Sequence, residues 1–291
     1  MKLYFDESYS LTTILKEIKS TLEKTEILEV EIKLLKQSYP PLKQWMDCAE
    51  SLQCEFSLKH FEEHVSIQFK LTKVVLLKFG EVDAAEKYGS QGKYISDKKC
   101  YEPTFIFDLW KCLDFIQINK DHRILDLGCN DGSVYSLIKA YNQNIFNSLN
   151  LTGLDYSMSA IEKAKKVYGQ EFEFYVHDLN ESYLIKDKMN VLISFNTLQC
   201  TTLDGKKVFR KFYQDNLLED GSVLLCFPNC RHSENELFYG AKTKNYRAND
   251  MSLVLKDVMY YKKYLQQHGY RVWLTGKYYI FLAAIKINSR T

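Results

Sequence analysis

The run Ile124-Leu125-Asp126-Leu127-Gly128-Cys129-Asn130-Asp131-Gly132-Ser133 joins an acid to two glycines in the pattern of a ligand-binding turn. An apolar strand feeds the turn, and a helix follows with Val134, Leu137, Ile138 and Tyr141 on one face. Gly128 and Gly132 lack a Cβ, so the backbone there can approach a ligand closely and adopt positive φ. Dinucleotide-binding turns use Gly-x-Gly-x-x-Gly and seat a pyrophosphate on the helix N-terminus. This turn departs from that spacing and puts Asp126 inside the preceding strand. An acid at that place suits a cationic amino-acid ligand better than a phosphate.

The elements around this run predict how it is held. Leu151-Thr152-Gly153-Leu154-Asp155 is a second strand ending in an acid, and Ser157 caps the helix that carries Ile161 and Ala164. Phe172 to Val176 reads as a third strand that ends at His177-Asp178-Leu179, and Val191 to Asn196 reads as a fourth. One such acid is an ordinary solvated strand end; three in order, each closing an apolar strand, point to a shared site. In open α/β sheets ligands bind beyond the carboxyl ends of the strands, where the strand order switches. Ser222 to Phe227 supplies a fifth strand. Tyr270 to Leu274 and Tyr278 to Ile287, joined through Gly276-Lys277, form a terminal hairpin. Residues 121–291 therefore alternate strands and helices, which implies a mostly parallel, doubly wound α/β sheet.

On these residues the stretch 121–291 resembles the class I, Rossmann-like methyltransferases that use S-adenosylmethionine (SAM). Their first motif is an apolar run, an acid, then x-Gly-x-Gly-x-Gly; Asp126, Gly128 and Gly132 match it, and Asn130 stands at the middle glycine, a residue that tolerates left-handed backbone. The resemblance implies a seven-stranded sheet with a terminal β-hairpin and SAM as cofactor. It assigns cofactor contacts to Asp126, Gly128, Cys129, Asn130, Gly132, Asp155, Tyr156, Asp178, Leu179 and Asn196. Asp155 would accept the ribose hydroxyls, Asp178 would face the adenine amino group, and Leu179 would pack nearby.

The acceptor side carries no comparable signature. After the fourth strand the chain reads Asn196-Thr197-Leu198-Gln199-Cys200, without the Asn/Asp-Pro-Pro-Tyr motif of enzymes that methylate exocyclic amines of bases. Cys200, Cys226 and Cys230 lack the context of a nucleophilic thiol and read as buried structural cysteines. Cys226, Cys230 and His232 fit no common zinc spacing, so no metal is expected. The insertion from Pro228 onward interleaves Arg231, Lys242, Lys244 and Arg247 with Tyr239 and Tyr246. Such cations hold phosphates and such rings stack on unpaired bases, and Lys256, Lys262 and Lys263 follow. RNA, with tRNA favoured, is the expected acceptor, contacted through residues 228–263. His232, Tyr239 and Tyr246 are the candidate bases, His232 foremost because its ordinary pKa lies near neutrality. A small metabolite or lipid precursor is the alternative acceptor, and a SAM-binding regulator without activity is a third reading.

The 291 residues suffice for one large or two modest domains, and 46% hydrophobic content provides a core. A formal net charge of +2 gives no broad polyelectrolyte surface, so any basic patch must be local. Eight scattered cysteines read as reduced thiols. With neither a secretory h-region nor a run long enough to span a membrane, a cytoplasmic protein off the membrane is expected. Residues 1–76 read as a small β-α-β-α-β-β unit: Leu3 to Phe5, a helix through Leu11, Ile14, Ile18 and Leu22 capped by Ser10, the alternating stretch Leu28 to Leu34, a helix from Pro40-Pro41 through Trp45 and Ala49, then Cys54 to Leu58 and Val65 to Leu71. That order resembles the TusA/SirA-like sulfur carriers, whose first helix opens with Cys-Pro. Here Ser8-Tyr9-Ser10-Leu11 stands at that place, so the resemblance implies a unit that docks RNA or protein without sulfur transfer. An unrelated α/β cap is the other reading. Residues 77–120 are expected to form a connector and lid, with a helix from Phe105 to Ile116.

Overall fold

The computed structural model describes residues 1–6, 8–25, 27–33, 45–46, 48–49, 52, 54–60, 64–71, 98–181, 185, 187–200, 202–233, 236–239 and 252–287, and of residues 11–12, 32–33, 55–56, 58–60, 64–66, 71, 98, 101, 231–233, 236–239 and 252–254 the backbone alone. Two compact units divide the chain: Met1–Leu77 with His232–Tyr239, and Lys78–Arg231 with Gly240–Thr291.

In the first unit β1 (Lys2–Phe5), α1 (Leu11–Leu22), β2 (Ile27–Lys33), β3 (Cys54–His60) and β4 (His64–Leu71) follow the predicted order, with helical turns at residues 45–46 and 48–49. The sheet order is β1-β2-β4-β3. β1 and β2 are parallel, and β4 runs antiparallel to both β2 and β3. The Ser10 hydroxyl accepts from the Thr13 amide and so caps α1. Ile14, Ile18 and Leu22 recur at helical spacing and bury one stripe of α1 against Leu28, Val30, Ile67 and Phe69. Each such side chain contributes about 1.5–3 kcal/mol on full burial. Glu29 and Glu31 alternate with them on the other face, where Lys2 pairs with Glu31.

The second unit is built on seven strands in the order β12-β13-β9-β8-β5-β6-β7. These are β5 (Arg123–Leu127), β6 (Asn150–Asp155), β7 (Glu173–Val176), β8 (Met189–Phe195), β9 (Leu217–Pro228), β12 (Tyr270–Thr275) and β13 (Tyr279–Lys286). Strands β5 to β9 are mutually parallel, and β13 is antiparallel to both of its neighbours, β9 and β12. This is the seven-stranded Rossmann-like sheet that the sequence predicts, with its antiparallel strand in place. The order switches beside β5, with β6 on one side and β8 on the other.

Helices cover both faces. On one, α2 (Pro103–Phe115), α3 (Tyr135–Tyr141) and α5 (Met158–Tyr168) lie together, with the single turn α4 (Gln143–Phe146) between the last two in sequence. The Trp110 indole N–H donates to the Leu137 carbonyl at 3.0 Å, and the Tyr135 and Tyr168 rings meet edge to face at 5.6 Å. On the other face α6 (Gly205–Asn216) and α7 (Ser252–Gln267) pack through Phe209 and Tyr261, whose ring centroids are 5.1 Å apart. Leu125, Leu127, Leu192, Val223, Leu225 and Leu282 point into this second layer and form the main core with Phe209, Phe212 and Tyr261.

Two features differ from the sequence reading. β9 begins at Leu217 rather than Ser222, because Leu217 pairs with Met189 across an irregularity in the ladder that alternation cannot reveal. The insertion after β9, read as a substrate loop, opens with a two-stranded pair, β10 (Cys230–Ser233) and β11 (Glu236–Tyr239). Four residues are too few to establish a period. Among the described residues no helix is long and apolar enough to cross a membrane.

Gly153 on β6 sets how closely the glycine turn approaches the sheet. A Cβ there would lie 2.8 Å from both the Cys129 sulfur and the Phe174 ring. Gly153→Ala is expected to lower stability by about 1–3 kcal/mol through overpacking. In thermal melts the double variant with Cys129→Ala should recover part of this loss, because it clears the sulfur and leaves the ring.

Candidate functional site at the carboxyl ends of the central strands

Asp126, Asp155 and Asp178 stand at the carboxyl ends of β5, β6 and β7, three adjacent parallel strands. Asp126 is the deepest, 2% exposed. The Tyr135 hydroxyl donates to its Oδ2 at 2.8 Å, and no described residue hydrogen-bonds Oδ1. Burial pushes the carboxyl up to about 7; the Tyr135 hydrogen bond and the charge of Lys99 oppose this, and the charge of Asp155 adds to it. Lys99, on the 3-10 turn Lys98–Tyr101, is itself buried. Tyr135 and Lys99 escaped the sequence reading. Tyr135 lies one residue past Val134 and so off the apolar face of Val134, Leu137, Ile138 and Tyr141, where spacing gives no signal for it. Nothing in the sequence marks Lys99.

Asp155 organises the rim. Its Oδ2 accepts from the Asn130 amide at 2.8 Å and its Oδ1 from the Ser157 amide at 2.9 Å, so one carboxylate ties the glycine turn to the start of α5. Burial raises its pKa against these backbone bonds. The Tyr156 amide bonds it as well, which leaves one of the carboxylate's four acceptor sites for a ligand hydroxyl. The Ser157 hydroxyl caps α5 by accepting from the Ala160 amide. Asp178 is half-buried, and its Oδ1 accepts from the Asn180 amide at 2.9 Å.

The turn itself has left-handed backbone at Gly128 (φ 81°), Asn130 (φ 50°) and Gly132 (φ 71°). A Cβ on Gly128 would fall 2.1 Å from the Thr197 hydroxyl oxygen, so the turn after β8 closes directly over the glycine turn and only glycine fits. Asn196, at the end of β8, is also left-handed (φ 58°), and its amide donates to the Cys226 carbonyl at 2.9 Å. Cys129 points down against Gly153 and is buried, with its thiol pKa pushed well up by burial; its amide donates to the Leu154 carbonyl and its carbonyl accepts from the Gly132 amide. Tyr156 is 56% exposed beside Asp155. Leu179 is buried and belongs to the main core.

On the acceptor side, Arg231 and His232 lie on β10 and Tyr239 on β11, but their side chains fall outside the described residues. Lys242, Lys244, Tyr246 and Arg247 lie outside them altogether. Among the described residues no group of three His, Cys, Asp or Glu is placed to hold a metal ion.

Asp126 has a sign-specific consequence. Its folded pKa lies above its unfolded value of about 3.9, so the fold favours the protonated acid. Stability from this group is full below about pH 4 and is lost as pH rises through about 7. Asp126→Asn should therefore gain on the unliganded wild type as pH rises from 5 to about 7 and then hold level to pH 8, by roughly 2–3 kcal/mol at about 1.4 kcal/mol per pH unit. Denaturant unfolding at the two pH values measures this, and a gap that does not change with pH overturns the assignment.

The family described as "Methyltransferase domain" matches residues 118–272. No curated protein matches the chain. Solved structures with a similar fold include a SAM-dependent methyltransferase from Aquifex aeolicus (14% identity, TM-score 0.47, 65% of this chain and 96% of that one). Others are a TehB-like SAM-dependent methyltransferase from Corynebacterium glutamicum (15%, 0.39, 61% and 86%) and the YcgJ protein from Bacillus subtilis (10%, 0.42, 63% and 98%).

Proposed function

This chain belongs to the methyltransferase-domain family, and from that premise we propose that it binds SAM and transfers its methyl group to a nucleophilic nitrogen or oxygen of RNA. The single observation that carries the cofactor reading is the buried Asp126 oxygen that no described residue hydrogen-bonds, at the carboxyl end of β5 beside the left-handed glycine turn. A buried acceptor of this kind costs about 1–3 kcal/mol unless a ligand donor meets it. The residues present fit the group: Asp126 suits an α-ammonium, the remaining acceptor site of Asp155 suits a ribose hydroxyl, and the exposed Tyr156 ring and Asp178 suit the adenine.

The cofactor, when bound, supplies a methyl group on a positively charged sulfur. The chain's part is to orient and to exclude water. Tyr135 holds Asp126, Asp155 fixes the turn and α5 in one arrangement, and Thr197 closes over Gly128. Positioning of this kind can supply on the order of 7–11 kcal/mol of a barrier, so a dedicated base is not required.

RNA as acceptor is supported by the outer faces of α6 and α7. Lys206, Lys207, Arg210 and Lys211 on the first and Lys256, Lys262 and Lys263 on the second are exposed or half-exposed, beside the half-buried rings of Tyr260 and Tyr264. The Lys206 ammonium lies 4.9 Å from the Tyr260 ring centroid. Cations with interleaved aromatics suit phosphates and unstacked bases. The grouping of His232–Tyr239, part of the predicted substrate insertion, with Met1–Leu77 also fits a docking role for the first unit.

Two measurements test these readings. Affinity for S-adenosylhomocysteine, which carries the same ammonium, should rise about tenfold per pH unit up to about 7 and then level off, because the ammonium needs Asp126 ionised. Asp126→Asn should bind weakly with a flat pH profile, and a flat profile in the wild type removes Asp126 from the cofactor site. RNA binding should weaken steeply with salt, and Lys207→Ala with Arg210→Ala should lower the salt slope by one to two. If the wild type has no RNA affinity at low salt, the RNA reading fails and the small-acceptor alternative takes its place.

A further inference from the structure

Gln199 is 6% exposed, and no described residue hydrogen-bonds either its Nε2 or its Oε1. A buried carboxamide with both ends unmatched is rare in a folded protein, where nearly all buried polar groups find partners. Its surroundings hold it in place. It sits in the turn Thr197–Cys200, closed by the Cys200 amide donating to the Thr197 carbonyl at 2.9 Å. Leu198 and Leu203, on either side, are anchored in the main core. α6 begins tight against the turn: a Cβ on Gly205 would fall 1.9 Å from the Leu198 carbonyl oxygen.

The strand order says where along the sheet this residue lies. The three acids lie on β5, β6 and β7, while Gln199 follows β8, on the opposite side of β5 from Asp155. It is reached from the glycine turn through Thr197, whose hydroxyl donates to the Gly128 carbonyl at 3.4 Å. A carboxamide sets one donor and one acceptor side by side in a plane, without charge. Phosphate offers only acceptors and an aliphatic chain offers neither, whereas a base edge such as that of adenine offers a matching acceptor–donor pair.

We propose that Gln199 is the specificity-determining residue that takes the donor–acceptor edge of the nucleobase presented for methylation. This rests on the methyltransferase reading above and narrows its acceptor to a base. The test uses the full chain with Gln199→Leu and Gln199→Glu and three readouts: melting of the unliganded protein, calorimetric affinity for S-adenosylhomocysteine, and transfer of tritiated methyl from SAM to total RNA from cells lacking this protein. Gln199→Leu should melt higher than the wild type, because it removes an unmatched amide. It should bind S-adenosylhomocysteine within about twofold of the wild type and lose at least tenfold in kcat/KM for RNA. Gln199→Glu, which keeps only acceptors, should also lose transfer. Lower melting of Gln199→Leu, a parallel loss of cofactor affinity, or undiminished transfer overturns the proposal. If the wild type binds S-adenosylhomocysteine yet labels no RNA, the nucleobase assignment falls alone; if it fails to bind, the methyltransferase reading falls instead.

Discussion

One carboxylate sits where the binding end of the sheet is decided. Asp155 accepts the Asn130 amide with one oxygen and the Ser157 amide with the other, so the turn after β5 and the helix after β6 share a single anchor. Without it the turn would have to satisfy its left-handed backbone and its open amides alone. With it, Asn130 can stand where related motifs place glycine, because the strain of its φ is offset by a charge-assisted hydrogen bond.

Behind that rim the structure is aromatic. Tyr135 gives its hydroxyl to Asp126 and its ring to Tyr168, Phe172 and Phe174, with Phe146 packed against Phe172. A buried acid is thus positioned by a phenol that cannot itself move, which is how a fold keeps an ionisable group in low dielectric without giving it a full ionic partner. Polar precision at the mouth is backed by close-packed rings below.

Much of this could be read from residue types and spacing. Strand-closing acids, the glycine turn, the Ser10 and Ser157 caps and the hairpin through Gly276 are local signals, and local signals survive in a single sequence. Alternating strands and helices implied a mostly parallel, doubly wound sheet, and the seven strands with their terminal hairpin came from the family resemblance. What could not be read depends on distance in the chain. Tyr135 is simply another apolar residue on a helix until its hydroxyl meets Asp126. Lys99 and Gln199 are unremarkable polar residues whose burial is decided by elements far away. The true start of β9 depends on a ladder irregularity opposite Met189, and β10 and β11 are too short to show a period.

The placement of β13 has a consequence for how the chain acquires its shape. It follows every other described strand in the sequence, yet it sits between β9 and β12 inside the sheet. During synthesis the flank of β9, from Val223 to Pro228, must wait uncovered until residues 279–286 leave the ribosome. β12 cannot reach the sheet without them. An interrupted or shortened product would therefore present a long apolar edge at the middle of its architecture, open to pairing with other chains, rather than a protein missing only its tip.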